Sequence, residues 1–457
     1  MPNPDVIVIG AGVAGLAASV RLASSGLSVL LVEARERIGG RVFTLRDPIS
    51  QAPIELGAEF IHGRPPEIWE MLQSRGVEIT EVGGESWCSR NGSLSPCEFF
   101  SEVDEILEKM DDRSADESFL AFLNRCCSDI KVTSEAKQRA LSYITGFNAA
   151  DPALVGVHWL VKSMRAEEEI EGHRTFRSRH GYEDLIKIFQ QNLMETGVSL
   201  RTGTIVESIR WKRGHAEITA VDAGPSFILT TPIVLITLPL GVLQAPAGSA
   251  GAVQFFPELP ARKTDAIKKL EMGKVIRVTL RFRNRFWENV VPGGKSKTLA
   301  NLGFLFTQDD WFPTWWTPMP KPKPLPLITG WAPFRCAERL SGQSSAFVVG
   351  KALETLSRVL GKNTQELENL IEAAQFHDWQ SDPYSRGAYS YGVVGSDGMQ
   401  EALASAVQET LYFAGEATDV TGNNGTVNGA IASGLRAAAE ILQARGSADR
   451  VPVNLTG

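Results

Sequence analysis

The sequence predicts an α/β fold (α+β overall), in which a doubly wound parallel sheet is joined to a second domain of mixed sheet and helices. Three stretches carry this prediction. VIVIGAGVAG, from Val6 to Gly15, places an apolar run before a G-x-G-x-x-G turn, and SVLLVE, which ends at Glu33, is a second apolar run. LYFAG, from Leu411 to Gly415, precedes a run of small residues near the C-terminus. Apolar runs without alternation are typical of strands buried on both faces of a parallel sheet.

The first two stretches predict a strand, a helix and a second strand in succession, a βαβ unit over residues 5–33. In such a unit Gly10 permits the tight turn, Gly12 lets the backbone approach a pyrophosphate, and Gly15 lets helix and strand pack closely. Glu33 ends the second strand, where a carboxylate accepts hydrogen bonds from ribose hydroxyls. The unit therefore predicts dinucleotide binding, against the alternative of chance glycines in a tight turn.

The rest of the chain changes character several times, which predicts two discontinuous domains. The further predicted elements are a helix at 66–75, an acidic helical region at 86–171, a helix within 176–193, short strands at 198–238, a mixed region rich in tryptophan and proline at 255–375 with a KPKPLP surface loop, a strand at 411–415 and a helix at 427–444. The predicted nucleotide-binding domain comprises 1–85, 176–250 and 376–445, and the substrate-binding domain comprises 86–175 and 251–375.

Composition narrows the class of protein. The 457 residues carry a net charge of −7 without long Lys/Arg runs, so we expect no nucleic-acid partner. No stretch offers about 20 consecutive apolar residues, so we expect no membrane span. The histidines show no metal-binding spacing, so we expect no metal. Five cysteines without a CxxC pair favour reduced thiols and a cytoplasmic location. These cysteines are Cys88, Cys97, Cys126, Cys127 and Cys336.

A second glycine motif follows Glu33 in the pattern E-A-R-x-R-x-G-G-R, which ends at Arg41 and suits a longer ligand. This pattern after G-x-G-x-x-G resembles the flavin-containing amine oxidase superfamily, which includes monoamine, polyamine and L-amino-acid oxidases and the flavin histone demethylases. Further stretches resemble it in the same order, from residue 6 to about 440. They are IELGAEFIHG, LPLGVLQ, MGKVIRVTLRF, WQSDPYSRGAYSYG and LYFAGEAT with GTVNGAIASGLRAA. IELGAEFIHG is most similar to polyamine oxidases.

The resemblance implies FAD as the cofactor. In some monoamine oxidases a cysteine before the active-site tyrosine bonds to the flavin, but Ala388 stands here, which implies non-covalent FAD. The helix after the Gly-rich turn aims its N-terminus at the flavin and stabilises the anionic reduced ring. The implied cofactor residues are Gly10, Gly12, Val13, Ala14, Gly15, Glu33, Ala34, Arg35, Gly39, Gly40, Arg41, Leu56, Gly57, Ala58, Glu59, Val206, Thr237, Leu238, Pro239, Trp379, Tyr384, Ala388, Gly415, Glu416, Gly425, Thr426 and Val427.

The resemblance also implies the catalytic residues Lys274, His62 and Tyr389. The family lysine holds a water at flavin N5 and assists reoxidation, so we expect Lys274 to be buried there; the alternative is a lysine at a strand end with its ammonium in water. Tyr389 matches one wall of an aromatic cage, whereas the opposite wall falls at Thr426. His62 lies on the substrate side or, alternatively, in the core. The implied substrate residues are Glu59, Phe60, His62, Trp316, Tyr389 and Thr426.

The implied activity is that of an FAD-dependent amine oxidase with a small amine and O2 as substrates. Hydride passes from the amine α-carbon to flavin N5, the imine is hydrolysed, and O2 becomes H2O2. A polyamine-like substrate is favoured, and a monoamine or L-amino acid is the alternative. Trp315 and Trp316 either form further walls of the substrate cage or simply pack in the core or in a lid. The acidic run at 167–171 either attracts polyamines or, as we prefer, is a solvated helix face. A flavin desaturase or protoporphyrinogen-type oxidase and a non-catalytic FAD scaffold are the rival classes.

Overall fold

The computed structural model describes residues 3–90, 92–99, 101–126, 134–292, 297–318 and 325–448. Residues 321–324 of the predicted KPKPLP loop and Cys127 lie outside these ranges. The helices are α1 Val13–Ser24, α2 Pro66–Ser74, α3 Ser101–Leu107, α4 Phe119–Cys126, α5 Ser134–Gly146, α6 Val157–Glu169, α7 Glu183–Thr196, α8 Leu240–Leu243, α9 Ala261–Lys269, α10 Arg335–Leu340, α11 Ser345–Leu360, α12 Thr364–Leu370, α13 Met399–Ala404 and α14 Val427–Ala448.

The strands form several sheets of different size. They are β1 Val6–Ile9, β2 Val29–Val32, β3 Thr44–Arg46, β4 Pro53–Glu55, β5 Ile61–His62, β6 Ile79–Glu81, β7 Glu85–Arg90, β8 Ser93–Pro96, β9 Thr175–Ser178, β10 Ser199–Arg201, β11 Ile205–Lys212, β12 His215–Val221, β13 Phe227–Thr231, β14 Ile233–Ile236, β15 Gln254–Phe256, β16 Leu270–Met272, β17 Val275–Phe282, β18 Leu302–Phe306, β19 Thr314–Trp316, β20 Leu327–Pro333, β21 Ile371–Phe376, β22 Ser390–Gly392 and β23 Leu411–Phe413.

A five-stranded parallel sheet positions the site. Its strand order is β10-β2-β1-β14-β23, and every pair in it is parallel. Both β1 and β2 are buried along their whole length, as their unbroken apolar sequence predicts. From β1 the chain continues to β2, which pairs with one edge of β1, whereas β14 pairs with the other edge. The strand order therefore reverses at β1. The predicted doubly wound sheet is confirmed, and such a reversal opens a crevice at the carboxyl ends of the strands.

The glycines of the first motif adopt the geometry that the motif requires. Gly10 has φ +103°, a conformation that residues with a side chain rarely adopt. A Cβ at Gly15 would lie 2.0 Å from the carbonyl oxygen of Gly10, so only glycine lets α1 pack this closely against β1. Thr237, after β14, donates to the carbonyls of Ile9 and Gly10 at 2.9 and 2.8 Å and joins the two strand ends.

A seven-stranded mixed sheet forms the second layer, in the order β21-β17-β20-β19-β18-β7-β8. Its core packs against α10 and α11, and a separate helical cluster is built from α3 to α6. The strands of the five-stranded sheet fall within the segments predicted for the nucleotide-binding domain. Those of the seven-stranded sheet fall within the predicted substrate-binding segments, except that β7 begins one residue early, at 85, and β21 ends one residue late, at 376. The domain boundaries themselves stay a prediction. Among the described residues no helix is long and apolar enough to cross a membrane.

The prediction of reduced thiols is wrong for two cysteines. Cys88, in β7, and Cys97, just beyond β8, form a disulfide bond with a Cα–Cα distance of 5.7 Å. The β7–β8 hairpin pairs antiparallel, with Trp87 opposite Pro96, and so brings the two cysteines within the range that a disulfide can span. This stretch opens the region that the sequence predicts as helical. The pairing depends on the hairpin register, which the spacing of the cysteines does not reveal.

Candidate active site

A cavity of about 900 Å³ opens at the carboxyl ends of the parallel strands and continues under the seven-stranded sheet. Cofactor and ligand cavities in proteins span about 300–1,000 Å³, so this one lies near the upper end of that range. Gly10, Glu33, Thr237 and Gly415, which follow β1, β2, β14 and β23, all line it. The sheet thereby delivers four separate chain segments to one wall.

Nearly all of the predicted site residues line this cavity, and only Gly15 and Lys274 do not. The cofactor residues that line it are Gly10, Gly12, Val13, Ala14, Glu33, Ala34, Arg35, Gly39, Gly40, Arg41, Leu56, Gly57, Ala58, Glu59, Val206, Thr237, Leu238, Pro239, Trp379, Tyr384, Ala388, Gly415, Glu416, Gly425, Thr426 and Val427. The substrate residues that line it are Glu59, Phe60, His62, Trp316, Tyr389 and Thr426.

Two helices begin at the cavity wall. Gly12 and Val13 open α1, while Thr426 and Val427 open α14. The unpaired N–H groups and the partial positive charge of a helix N-terminus attract anionic groups such as a pyrophosphate. The hydroxyl of Thr426 donates to the Asn423 carbonyl at 2.7 Å and accepts from the Gly429 N–H at 3.0 Å. Thr426 therefore caps α14, and the position opposite Tyr389 carries no aromatic wall.

The residues around the two glycine motifs fit FAD. A Cβ at Gly12 would meet no protein atom within 4 Å, so the space beside it is left for a ligand. Glu33 is buried, and its oxygens accept from the backbone N–H groups of Ala11 and Arg35 at 2.8 and 2.9 Å. A carboxylate fixed in this way is placed to accept from a ribose. Glycines, helix termini and this carboxylate form the donor and acceptor set that a dinucleotide requires.

Glu416 is held in the cavity wall by protein donors. Its carboxylate accepts from Arg41 at 2.9 Å, from the Ser390 hydroxyl at 2.6 Å and from the Gly425 N–H at 2.9 Å. The side chain is buried. Glu416 thus joins three segments of the cavity wall through protein donors, and its contact with the cofactor stays a prediction.

Aromatic side chains form an inner chamber next to this pocket, which we define by Phe60, His62, Phe147, Trp316 and Tyr389. The ring centroids of Phe60 and Trp316 are 5.5 Å apart, and those of His62 and Phe147 are 5.3 Å apart. The Tyr389 hydroxyl donates to the Phe147 carbonyl at 2.8 Å. Trp316 faces the chamber because it alternates with its neighbour in β19, Trp315, which packs in the core.

The inner chamber is electrically neutral near pH 7. Burial lowers the pKa of His62 to about 4, so its imidazole is uncharged. Burial also raises the pKa of Tyr389, which keeps its phenol protonated. An uncharged aromatic chamber favours an amine that has lost its proton, because an ammonium would give up its hydration there.

Glu59 borders the chamber but is already paired with protein cations. Arg177 and Arg277 each approach one of its oxygens at 2.5 Å, and Trp316 Nε1 donates to both, at 3.2 and 3.1 Å. Burial opposes ionisation of this carboxyl, yet the two arginines hold its pKa below the usual range. Both oxygens of Glu59 are therefore engaged by protein donors, and its role as a substrate residue stays a prediction.

Lys274 does not reach the cavity. It lies between β16 and β17, its Nζ contacts Glu338 at 2.6 Å, and 46% of its side chain is exposed. The expectation of a buried lysine is wrong, because the ammonium stays in water at the start of the strand. Three residues further on, Arg277 is only 4% exposed and lines the cavity. An arginine within the apolar run KVIRVTL was a visible signal for this position, and the sequence interpretation passed over it.

An acidic wall forms another side of the cavity, away from the glycine motifs. We define it by Asp104 and Glu108 around α3 and by Glu167 and Glu168 in α6. Burial, together with the charges of Asp104 and Glu168, raises the pKa of Glu167 to about 7. The solvated-face interpretation fits Glu168 and Glu169, which are exposed, whereas Glu167 is only partly exposed; Glu167 and Glu168 both line the cavity. Among the residues that the structure describes, no group of His, Cys, Asp or Glu is arranged to hold a metal ion.

A family model and several known proteins match this chain along most of its length. Residues 13–99 and 101–442 match the family described as flavin containing amine oxidoreductase. Polyamine oxidase 4 of Oryza sativa subsp. japonica is 28% identical, over 98% of this chain and 92% of its own. Lysine-specific histone demethylase 1 homolog 2 of Arabidopsis thaliana is also 28% identical, over 96% of this chain and 58% of its own.

Solved structures share the fold. Putrescine oxidase, in a structure with bound putrescine, superimposes with a TM-score of 0.77 at 21% identity and covers 97% of this chain and 99% of its own. Cyclohexylamine oxidase from Brevibacterium oxydans gives a TM-score of 0.77 at 20% identity, with 97% and 100% covered. At these identities the likeness concerns the fold.

Proposed function

The chain belongs to the flavin-containing amine oxidoreductase family, and from this premise we propose that it is an FAD-dependent oxidase of di- and polyamines. The observation that carries the proposal is the change of charge along one cavity. A neutral aromatic chamber lies next to the flavin pocket, and an acidic wall lies away from it. A polyamine has both features that this arrangement selects, since one nitrogen can react uncharged while another stays an ammonium. The names of the polyamine and putrescine oxidases above point the same way.

The pocket residues hold FAD without a covalent bond in this proposal, because Ala388 offers no thiol. When bound, FAD would supply the redox chemistry, as the acceptor of the α-carbon hydride of the amine and, on reoxidation, as the reductant of O2 to H2O2. The chain's own residues bind and orient the amine. Trp316, Phe60 and Tyr389 enclose it and exclude water, and the neutral imidazole of His62 accepts a hydrogen bond from its N–H without taking the proton. Hydrolysis of the product imine gives an aldehyde together with ammonia from a primary amine or a smaller amine from a secondary one.

Family membership supports amine oxidation over a flavin desaturase and over a non-catalytic scaffold.

Oxidation of L-amino acids is the second candidate. One observation favours it: Arg177 and Arg277 share the single carboxylate of Glu59, which leaves one positive charge in excess at the border of the neutral chamber. The Cys88–Cys97 disulfide bond removes the argument from reduced thiols on which the expected cytoplasmic location rested.

Replacing Glu167 by glutamine tests the polyamine proposal. At pH 8 the Glu167 carboxyl is mostly ionised, since its pKa is about 7. We expect Glu167→Gln to raise KM for spermidine by about 2- to 5-fold, the effect of losing roughly 0.5–1 kcal/mol from a partly exposed charge pair. Benzylamine has no second cation, so its KM stays unchanged. Initial rates of H2O2 release at pH 8 measure both.

Glu169→Gln is the matched control, because Glu169 belongs to the same acidic run but is exposed and lies off the cavity. It leaves KM for both amines unchanged. Equal changes for spermidine and benzylamine in Glu167→Gln, or a protein that oxidises benzylamine and ignores spermidine, would contradict the polyamine proposal.

A further inference from the structure

The cation that reaches the cavity from β17 is an arginine. Arg277 Nη1 donates to the Gly57 carbonyl at 2.8 Å, and Nη2 donates to Glu59 Oε2 at 2.5 Å. Its guanidinium carbon lies 5.5 Å from the centroid of the Trp316 ring. Gly57, Glu59 and Trp316 all line the cavity, so these contacts fix the charge at the boundary between the cofactor pocket and the inner chamber.

The charges around Arg277 do not cancel. Glu59 contributes one negative charge, whereas Arg177 and Arg277 contribute two positive ones, and both arginines are mostly buried. Arg277 Nε and Arg177 Nε have no hydrogen-bond partner among the described residues. Glu55 also acts on Arg277, but burial raises the pKa of that carboxyl to about 7, so below this pH it is mostly uncharged. The cluster therefore carries an excess positive charge, and Arg277 brings it to the cavity wall.

We propose that Arg277, and not Lys274, is the residue whose fixed positive charge favours the reduced state of the bound flavin. The inference rests on the proposed function, because it requires FAD in this cavity. Two-electron reduction leaves the flavin ring anionic near neutral pH, and a nearby cation with few surrounding waters stabilises the anion. Arginine suits a buried role of this kind because it stays protonated at every accessible pH and its planar donors bind Glu59 and Gly57 together.

The two-electron reduction potential of the bound flavin tests this assignment without relying on turnover. It is measured at pH 6.5 by equilibration with a reference dye during slow anaerobic reduction. We expect Arg277→Met to shift the reduction equilibrium against the reduced flavin at least 10-fold, which is about 30 mV for a two-electron couple. Arg277→Lys retains the positive charge, so we expect its flavin reduction potential to stay close to that of the unchanged protein. Arg277→Met leaves Glu59 paired with Arg177, so no buried charge is left alone.

Two further variants decide between the lysine and the arginine. Lys274→Met removes the half-exposed cation and leaves the potential unchanged. Arg283→Met makes the same substitution as Arg277→Met at an exposed position just past β17, and it also leaves the potential unchanged. A lower potential in Lys274→Met with no change in Arg277→Met would overturn the proposal. If Arg277→Met binds no FAD, Arg277→Lys serves instead, and a potential in Lys274→Met that is lower than the potential in Arg277→Lys overturns the proposal.

These experiments distinguish a failure of the Arg277 assignment from a failure of the proposed function. If the unchanged protein oxidises no polyamine but Arg277→Met still lowers the flavin potential, the assignment of Arg277 stands and the substrate proposal fails. If polyamines are oxidised and the potential of Arg277→Met equals that of Arg283→Met, the substrate proposal stands and the assignment of Arg277 fails.

Discussion

Gly12→Val is expected to yield a folded protein that binds no FAD. Gly12 has φ −68° and ψ 170°, a conformation open to any residue, so valine adds no backbone strain. Its Cβ would meet no protein atom within 4 Å and would enter the cavity in the place left for the pyrophosphate. The Leu16 N–H to Gly12 carbonyl bond of 2.9 Å, which starts α1, is kept. Purified protein should therefore lack the visible absorbance of flavin while its far-UV circular dichroism stays unchanged.

Gly350→Val is the control for this experiment. Gly350 lies within α11, away from the cavity, and a Cβ there also meets no atom within 4 Å. This variant should be as yellow as the unchanged protein. Gly12→Val with a full complement of FAD would show that the first glycine motif does not bind the cofactor.

Glu59→Gln is expected to lower the free energy of unfolding by about 3–5 kcal/mol, the usual cost of leaving a buried charge without its partner. The substitution strands two arginines, Arg177 and Arg277, that are 19% and 5% exposed in their side chains. Arg177→Met should cost less, because Glu59 and Arg277 still balance each other. Urea unfolding followed by circular dichroism, with FAD in excess for every variant, measures the differences.

Glu78→Gln is the matched control for the charge effect. Glu78 pairs with Arg179 at 3.1 Å, but both side chains are 62% exposed, so the pair contributes at most about 1 kcal/mol. If Glu59→Gln is no more destabilising than Glu78→Gln, or than Arg177→Met, the buried cluster is not held together by its charges.

The sequence predicted the parts of the fold that local pattern controls. The unbroken apolar runs of β1 and β2 and the glycine spacing before α1 place the sheet and its cavity edge without any knowledge of distant contacts. For the same reason the glycines that line the cavity were predicted, since each lies in a turn that the motif itself defines. The hairpin of β7 and β8 has no such signal, because its pairing and its disulfide bond depend on register.

Side-chain direction at the substrate end was beyond the sequence. Lys274 and Arg277 are three residues apart in one apolar stretch, and only the start of β17 decides which of them faces the cavity. Glu59 looked available to a substrate because Arg177 and Arg277, which neutralise it, come from strands more than 100 residues away. The acidic wall likewise combines α3 with α6, so its position in the cavity depends on how the helices pack.

Anaerobic mixing of the yellow protein with single amines tests the central claim most directly. Spermidine, spermine and putrescine are compared with benzylamine, tyramine and L-amino acids, and the flavin absorbance is followed without O2. We predict that a di- or polyamine bleaches the flavin at the lowest concentration, and that admitting O2 restores the colour and releases H2O2. Bleaching by L-amino acids alone would move the function to the second candidate, and a flavin that no amine bleaches would contradict amine oxidation by this chain.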